Sequence, residues 1–234
     1  MTNKLKNIVL INDYLFNRGG ADQVALISAE ALAKSGYKVI YFGAYMNSEN
    51  KSPKVFNLQI ISTEQYDLLS NPSRIKAFIQ GLWNIKAKNI LESHLENLPR
   101  NETVVHIHGW KNALSSSVIR LVIKLKFPLV ITLHDYFSVC PNGGFYNFKT
   151  NQICQLRALS IPCLLTNCDK RMYSHKLWRF LRAIIQQKIG LIPSRTDNFI
   201  FVSNFSKDII LPYISINKSN FRVNNPISVR KAPQ

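Results

Sequence analysis

Acidic residues are scarce in this chain. It has 13 Asp and Glu against 30 Lys and Arg in 234 residues, a formal net charge of +17. Such a charge excludes an acidic scaffold and leaves three partner classes: nucleic acid, an anionic membrane surface or phosphorylated ligands. Glycine is also scarce, and none of the nine falls into a G-x-G-x-x-G fingerprint, a Walker A loop or a G-x-S-x-G elbow. No D-x-D is present, which removes one common metal–diphosphate clamp. No stretch approaches the roughly 20 apolar residues that span a bilayer. After Lys4 and Lys6 only a short apolar run precedes Asn12 and Asp13, too short for a signal-peptide core. The expected compartment is therefore the cytoplasm. Nucleic acid fits least of the three partners, because no helix-turn-helix or RNA-binding-sheet signature accompanies the charge.

What is present is a chain 46% hydrophobic, ample for a substantial core. Apolar, β-branched runs at 7–12, 37–43, 54–61, 103–108, 128–133, 198–202 and 221–223 alternate with helical stretches at 21–35, 73–96, 112–126, 174–190 and 205–213. That alternation predicts an α/β fold, a single Rossmann-like doubly wound parallel sheet. Val24, Ala25, Ile27, Ala31 and Leu32 recur near a period of 3.6, and Gly36 stands where a helix stop belongs. Residues 136–172 break the rhythm with Pro141, Asn142, Gly143, Gly144 and Asn147. They read as a long Cys-containing loop inserted after the fifth strand.

Several residues carry candidate chemistry. Gly19 and Gly20 follow the first strand and open the first helix, where bare backbone and the positive helix end suit a phosphate or sugar hydroxyls. The plain alternative is a loop needing positive φ. His108 and His134 each close a strand at its carboxyl end, the edge at which open α/β sheets bind ligands. His106 shares the side of His108 and reads as a buried, satisfied histidine. Asp135 is placed to orient a hydroxyl or an imidazole, or to cap its loop. Cys140, Cys154, Cys163 and Cys168 all lie in or at the edge of the loop. Their spacing lacks C-x2-C knuckles, so structural zinc, free thiols and disulfides all remain open. Between Lys170 and Arg195 there are seven basic residues and no acidic one, interleaved with Trp178, Phe180 and Leu181. This segment is either a solvated helix face or a surface for anionic lipid.

Taken together, Arg18-Gly19-Gly20-Ala21-Asp22-Gln23-Val24, Val105-His106-Ile107-His108-Gly109, Thr132-Leu133-His134-Asp135-Tyr136 and Phe201-Val202-Ser203-Asn204-Phe205-Ser206 resemble the N-terminal domain of family 4 glycosyltransferases, of GT-B architecture. The resemblance runs from about residue 6 to 228, and the Pro141–Gly144 segment looks like a subgroup associated with bacterial surface polysaccharides. It implies transfer of a sugar from a nucleotide-sugar donor to a carbohydrate or lipid-linked acceptor, with this domain on the acceptor side. It implies that His134 contacts the transferred sugar, that Gly19 and Gly20 lie near donor phosphate and acceptor, and that Ser203 and Asn204 open a helix close to the cleft. No cofactor beyond a structural zinc is implied. The family's C-terminal basic pair and E-x7-E motif have no counterpart here. The expectation is thus a domain spanning 1–228, a linker tail at 229–234, and a chain that alone is not an efficient transferase. It would act with a separate donor-domain chain, or stand as a non-catalytic subunit or inactive fragment. A location on the inner membrane face follows from the same reading. An epimerase-like nucleotide-binding protein is disfavoured, because no Tyr has Lys four residues on.

Overall fold

The computed structural model describes residues 5–44, 55–215 and 217–226. The expected tail at 229–234, residues 227–228 of the expected domain and residue 54 of an expected strand lie outside the described residues.

Seven strands form one parallel sheet: β1 (Asn7–Ile11), β2 (Lys38–Gly43), β3 (Leu58–Ser62), β4 (Thr103–Ile107), β5 (Leu129–Leu133), β8 (Asn198–Phe201) and β9 (Ser219–Arg222). A separate antiparallel hairpin pairs β6 (Tyr146–Asn147) with β7 (Gln152–Ile153). The helices are α1 (Gly20–Lys34), α2 (Arg74–Leu82), α3 (Ile85–Leu95), α4 (Ser116–Lys124), α5 (Ile161–Leu165), α6 (Tyr173–Lys188) and α7 (Asn204–Ile210). The sheet order is β3-β2-β1-β4-β5-β8-β9. Chain order reverses between β1 and β4, so a crevice opens beyond their carboxyl ends.

Burial on both faces explains why these strands read as continuous apolar runs. Along β1, Ile8 and Leu10 meet α1 with Val39 and Tyr41, while Val9 and Ile11 enter the larger core on the opposite face. Helix α1 presents Ala25, Ala29 and Ala33, one small stripe that lets it lie close on the sheet. It stops at Ser35, with Gly36 at φ +94. On the other face Ala87, Leu91 and Leu95 of α3 and Val118, Ile119 and Val122 of α4 close the core against Val105, Ile107 and Ile131.

Two helices differ from the sequence expectation. The stretch 73–96 is two helices, because Trp83 and Asn84 adopt extended backbone. Asn84 starts α3 by accepting from the Ala87 N–H, and its own N–H donates to the Ser115 hydroxyl at 2.8 Å. A cap of this kind is worth about 1 kcal/mol. The stretch 112–126 becomes helical only at Ser116, since the Asp13 carboxylate captures the N–H groups before it.

Candidate functional site at the strand tips

The site begins with two residues that leave β1 at the switch point. Asn12 donates its side-chain amide to Asp22 Oδ1 at 2.9 Å and to the Tyr14 carbonyl at 3.0 Å. Asp13, 1% exposed, accepts four backbone N–H groups: Lys111 and Asn112 at 2.8 Å on Oδ2, Ala113 and Leu114 at 2.9 Å on Oδ1. One side chain thereby shapes the loop after β4. Gly109 is needed there, because a Cβ would sit 2.6 Å from Asn12 Oδ1.

On that frame β4 and β5 deliver three imidazoles. His106 Nε2 meets Thr132 Oγ1 at 2.7 Å. Its ring centroid lies 4.2 Å from that of His108. His108 Nδ1 lies 3.0 Å from His134 Nε2, so one of these nitrogens carries the hydrogen and the other accepts it. Burial, then His134 nearby, pushes His106 down to about 4. Burial, with His106 and His134, holds His108 well below the usual imidazole range. Burial also lowers His134; Asp135 opposes the shift and Lys111 reinforces it. A row of neutral rings results, able to accept a proton at neutral pH. His108 Nε2 is buried with no partner among the described residues, an open position beside a small cavity of about 60 Å³.

Asp135 lines the same cavity and is fixed from two sides. It pairs with the Lys111 ammonium, and its Oδ1 accepts from the Phe137 N–H at 2.8 Å. His108, His134 and Asp135 are thus brought together, as their positions at strand ends predict. Gly19 and Gly20 are exposed at the start of α1, whose Ala21 and Asp22 reach the cavity. Gly19 is extended rather than left-handed, Gly20 has no positive φ, and a Cβ at either meets nothing within 4 Å. The plain-loop explanation, a need for positive φ, therefore does not hold. Ser203 and Asn204 sit at the carboxyl end of β8 but do not line this cavity. The Ser203 hydroxyl is engaged, accepting from the Ser206 N–H at 3.1 Å as the cap of α7.

The four cysteines do not assemble a metal site. All are free thiols, and among the described residues no three His, Cys, Asp or Glu side chains are grouped to hold an ion. Lys176, 1% exposed, places its ammonium 3.4 Å from both Cys163 and Cys168. A cationic side chain thus already stands between two of the proposed ligands. Cys140 donates to Asn142 Oδ1 at 3.2 Å, and the amide of Asn142 in turn donates to Cys168 Sγ at 3.3 Å; Cys154 directly follows β7.

Sequence reasoning missed Asn12, Asp13, Lys111 and Arg182 as parts of the site. Arg182, 6% exposed, donates to the Lys111 carbonyl at 2.7 Å and the Trp110 carbonyl at 3.3 Å, a contact across about 70 residues with no local signal. Among the described residues no helix is long and apolar enough to cross a membrane.

Comparison with known proteins agrees with this architecture. The profile of Glycosyltransferase Family 4 matches residues 18–226. An uncharacterized 42.6 kDa protein in the cps region of Klebsiella pneumoniae is 22% identical over 212 residues, covering 86% of this chain and 50% of that protein. Among solved structures, Medicago truncatula UGT71G1 complexed with UDP-glucose superposes with a TM-score of 0.50 at 11% identity, over 99% of this chain and 54% of that one. The chain spans about half the length of these relatives.

Proposed function

The chain belongs to glycosyltransferase family 4, and from that premise we propose that it forms the acceptor side of an enzyme that transfers a sugar from a nucleotide-sugar to a cell-surface polysaccharide or lipid-linked acceptor. The observation that carries this reading is the neutral imidazole pair, His108 and His134, at the switch-point crevice beside Asp135. An acceptor hydroxyl becomes a better nucleophile when a neutral base receives its hydrogen bond, a contribution of about 10²- to 10⁴-fold. In this reading His134 faces that hydroxyl and the sugar being moved, His108 sets the tautomer of His134, and Asp135 with Lys111 orients the ring. Gly19 and Gly20 leave room at the mouth for the donor phosphates. The grip on the nucleotide comes from a second lobe, in the same polypeptide or in a separate chain. The cps-region relative supports a polysaccharide product.

Equilibrium dialysis separates the two halves of the claim. The 234-residue chain should bind candidate acceptors at least tenfold tighter than UDP or UDP-glucose. Nucleotide binding as tight as acceptor binding would contradict the division of labour.

A further inference from the structure

A second, larger cavity of about 510 Å³ adjoins the crevice and shares Lys111, Asn112 and Phe137 with it. Its lining has two characters. One wall is apolar, built from Leu68, Leu69, Phe78 and Trp178, with the Phe78 and Trp178 rings 6.0 Å apart. Five of the other lining residues are cationic: Arg74, Lys111, Arg171, Arg179 and Arg182. Among the described residues no carboxylate lines it, and neither α2 nor α6 contains an acidic residue.

The cations are incompletely answered within the protein. Arg179 pairs with Asp169 at 3.2 Å, and Lys111 with Asp135. Arg182 donates to the two carbonyls, feels the charge of Asp13, and is stacked 4.7 Å from the Phe137 centroid and 5.3 Å from that of Trp178. It belongs to no ion pair among the described residues. Arg74 likewise donates to the carbonyls of Leu68 and Leu69. The Trp178 indole N–H is buried without an acceptor among the described residues. The charge of the buried Asp13 carboxylate reaches Arg182, but that carboxylate is already committed to four backbone N–H groups, so a ligand anion would add the direct pairing that the guanidinium lacks; a buried N–H is likewise costly unless a ligand supplies its acceptor.

The apolar character continues outward. Helix α2 exposes Ile75, Phe78 and Ile79 at i, i+3 and i+4, and α6 exposes Leu177, Leu181 and Ile184 at i, i+4 and i+7. Each helix thus shows solvent an apolar stripe bordered by Lys and Arg, the character of a surface that lies on anionic lipid.

We propose that this cavity seats the phosphate or diphosphate of a long-chain lipid. The anion meets Arg74, Arg171 and Arg182, and the chain leaves along Phe78 and Trp178 towards the membrane-facing stripes of α2 and α6. A saccharide carried on that phosphate extends past Lys111 and Asn112 towards His134. This last step rests on the function proposed above; the binding does not.

Quenching of tryptophan fluorescence by farnesyl diphosphate, inorganic pyrophosphate and farnesol tests the seat directly. Farnesyl diphosphate should bind at least tenfold tighter than either fragment. Arg74→Glu and Arg171→Glu, both at exposed positions and each checked for folding by circular dichroism before use, should each weaken it at least fivefold, and Phe78→Ala should weaken farnesyl diphosphate but not pyrophosphate. Pyrophosphate binding as tight as farnesyl diphosphate would mark a free-phosphate site and overturn the proposal, as would binding untouched by all three variants. Lipid-phosphate binding without sugar transfer in a two-lobe enzyme would sink the transferase reading and leave this one standing. Transfer to a lipid-free acceptor without farnesyl diphosphate binding would do the reverse.

Discussion

Replacing Asp13 by Asn tests whether one carboxylate holds both cavities in shape. The side chain is buried, and its two oxygens accept four N–H groups from residues 111–114 at 2.8–2.9 Å. An amide of the same size keeps one oxygen and turns the other position into a donor, facing two N–H groups. Two bonds to a charged group are lost at about 1.5–3 kcal/mol each, so the expected loss is about 3–6 kcal/mol. A domain this size has about 5–15 kcal/mol in all. With an m-value of about 2 kcal/mol/M the urea midpoint should fall by about 1.5–3 M. The damage should also be local. Lys111 and Trp110 supply the carbonyls that hold Arg182, and Lys111 pairs with Asp135, so the large cavity and the strand-tip crevice should loosen together. Farnesyl diphosphate binding and the chemical shifts of His134 would report this below the unfolding transition. A midpoint shift under 0.5 M with an unchanged m-value would refute the role given to Asp13.

Three other outcomes follow. Unfolded histidine takes up a proton below pH 6.5, whereas folded His106 resists until about 4; stability is therefore full above pH 6.5 and lost as pH falls between these values. At about 1.4 kcal/mol per unit the loss from His106 alone is about 3.5 kcal/mol over the whole interval and about 3 kcal/mol by pH 4.5, and urea melts from pH 7.5 to 4.5 on wild type and His106→Gln should show the variant with the flatter slope. Gly19→Ala should cost about 0.5–1 kcal/mol by thermal melt, the ordinary difference between Gly and Ala at an N-cap, since its Cβ meets nothing, yet should slow sugar transfer when a donor lobe is supplied; a stability loss above about 2 kcal/mol would show an internal packing role instead. Exhaustive chelation should not lower the melting temperature, because Lys176 stands between Cys163 and Cys168; one tightly held zinc per chain with four protected thiols would contradict that placement.

The sheet was legible because its strands are buried on both sides, so each reads as an unbroken apolar run flanked by polar turns. Seven of the expected runs are the seven parallel strands. The convergence of His108 and His134 followed from their positions at strand ends alone. The break at Trp83–Asn84 was hidden because helical periodicity continues across it, although Asn before Ile85 is a recognisable cap. The late start of α4 was not legible, since the competing acceptor, Asp13, lies about 100 residues earlier. Arg182 and Trp178 read only as part of a basic, amphipathic helix. Nothing local says that the Arg182 guanidinium turns inward to the Trp110 and Lys111 carbonyls while still lining the large cavity. Cysteine spacing was equally mute, because thiol separation depends on how the 136–172 loop folds back through β6, β7 and α5.

The most direct test is the rate of sugar transfer by His134→Ala when a donor lobe is present, with farnesyl diphosphate binding measured on the same preparation. The account predicts a fall of about 10²-fold or more in kcat with lipid-phosphate affinity within twofold of wild type. Transfer at the wild-type rate would contradict it.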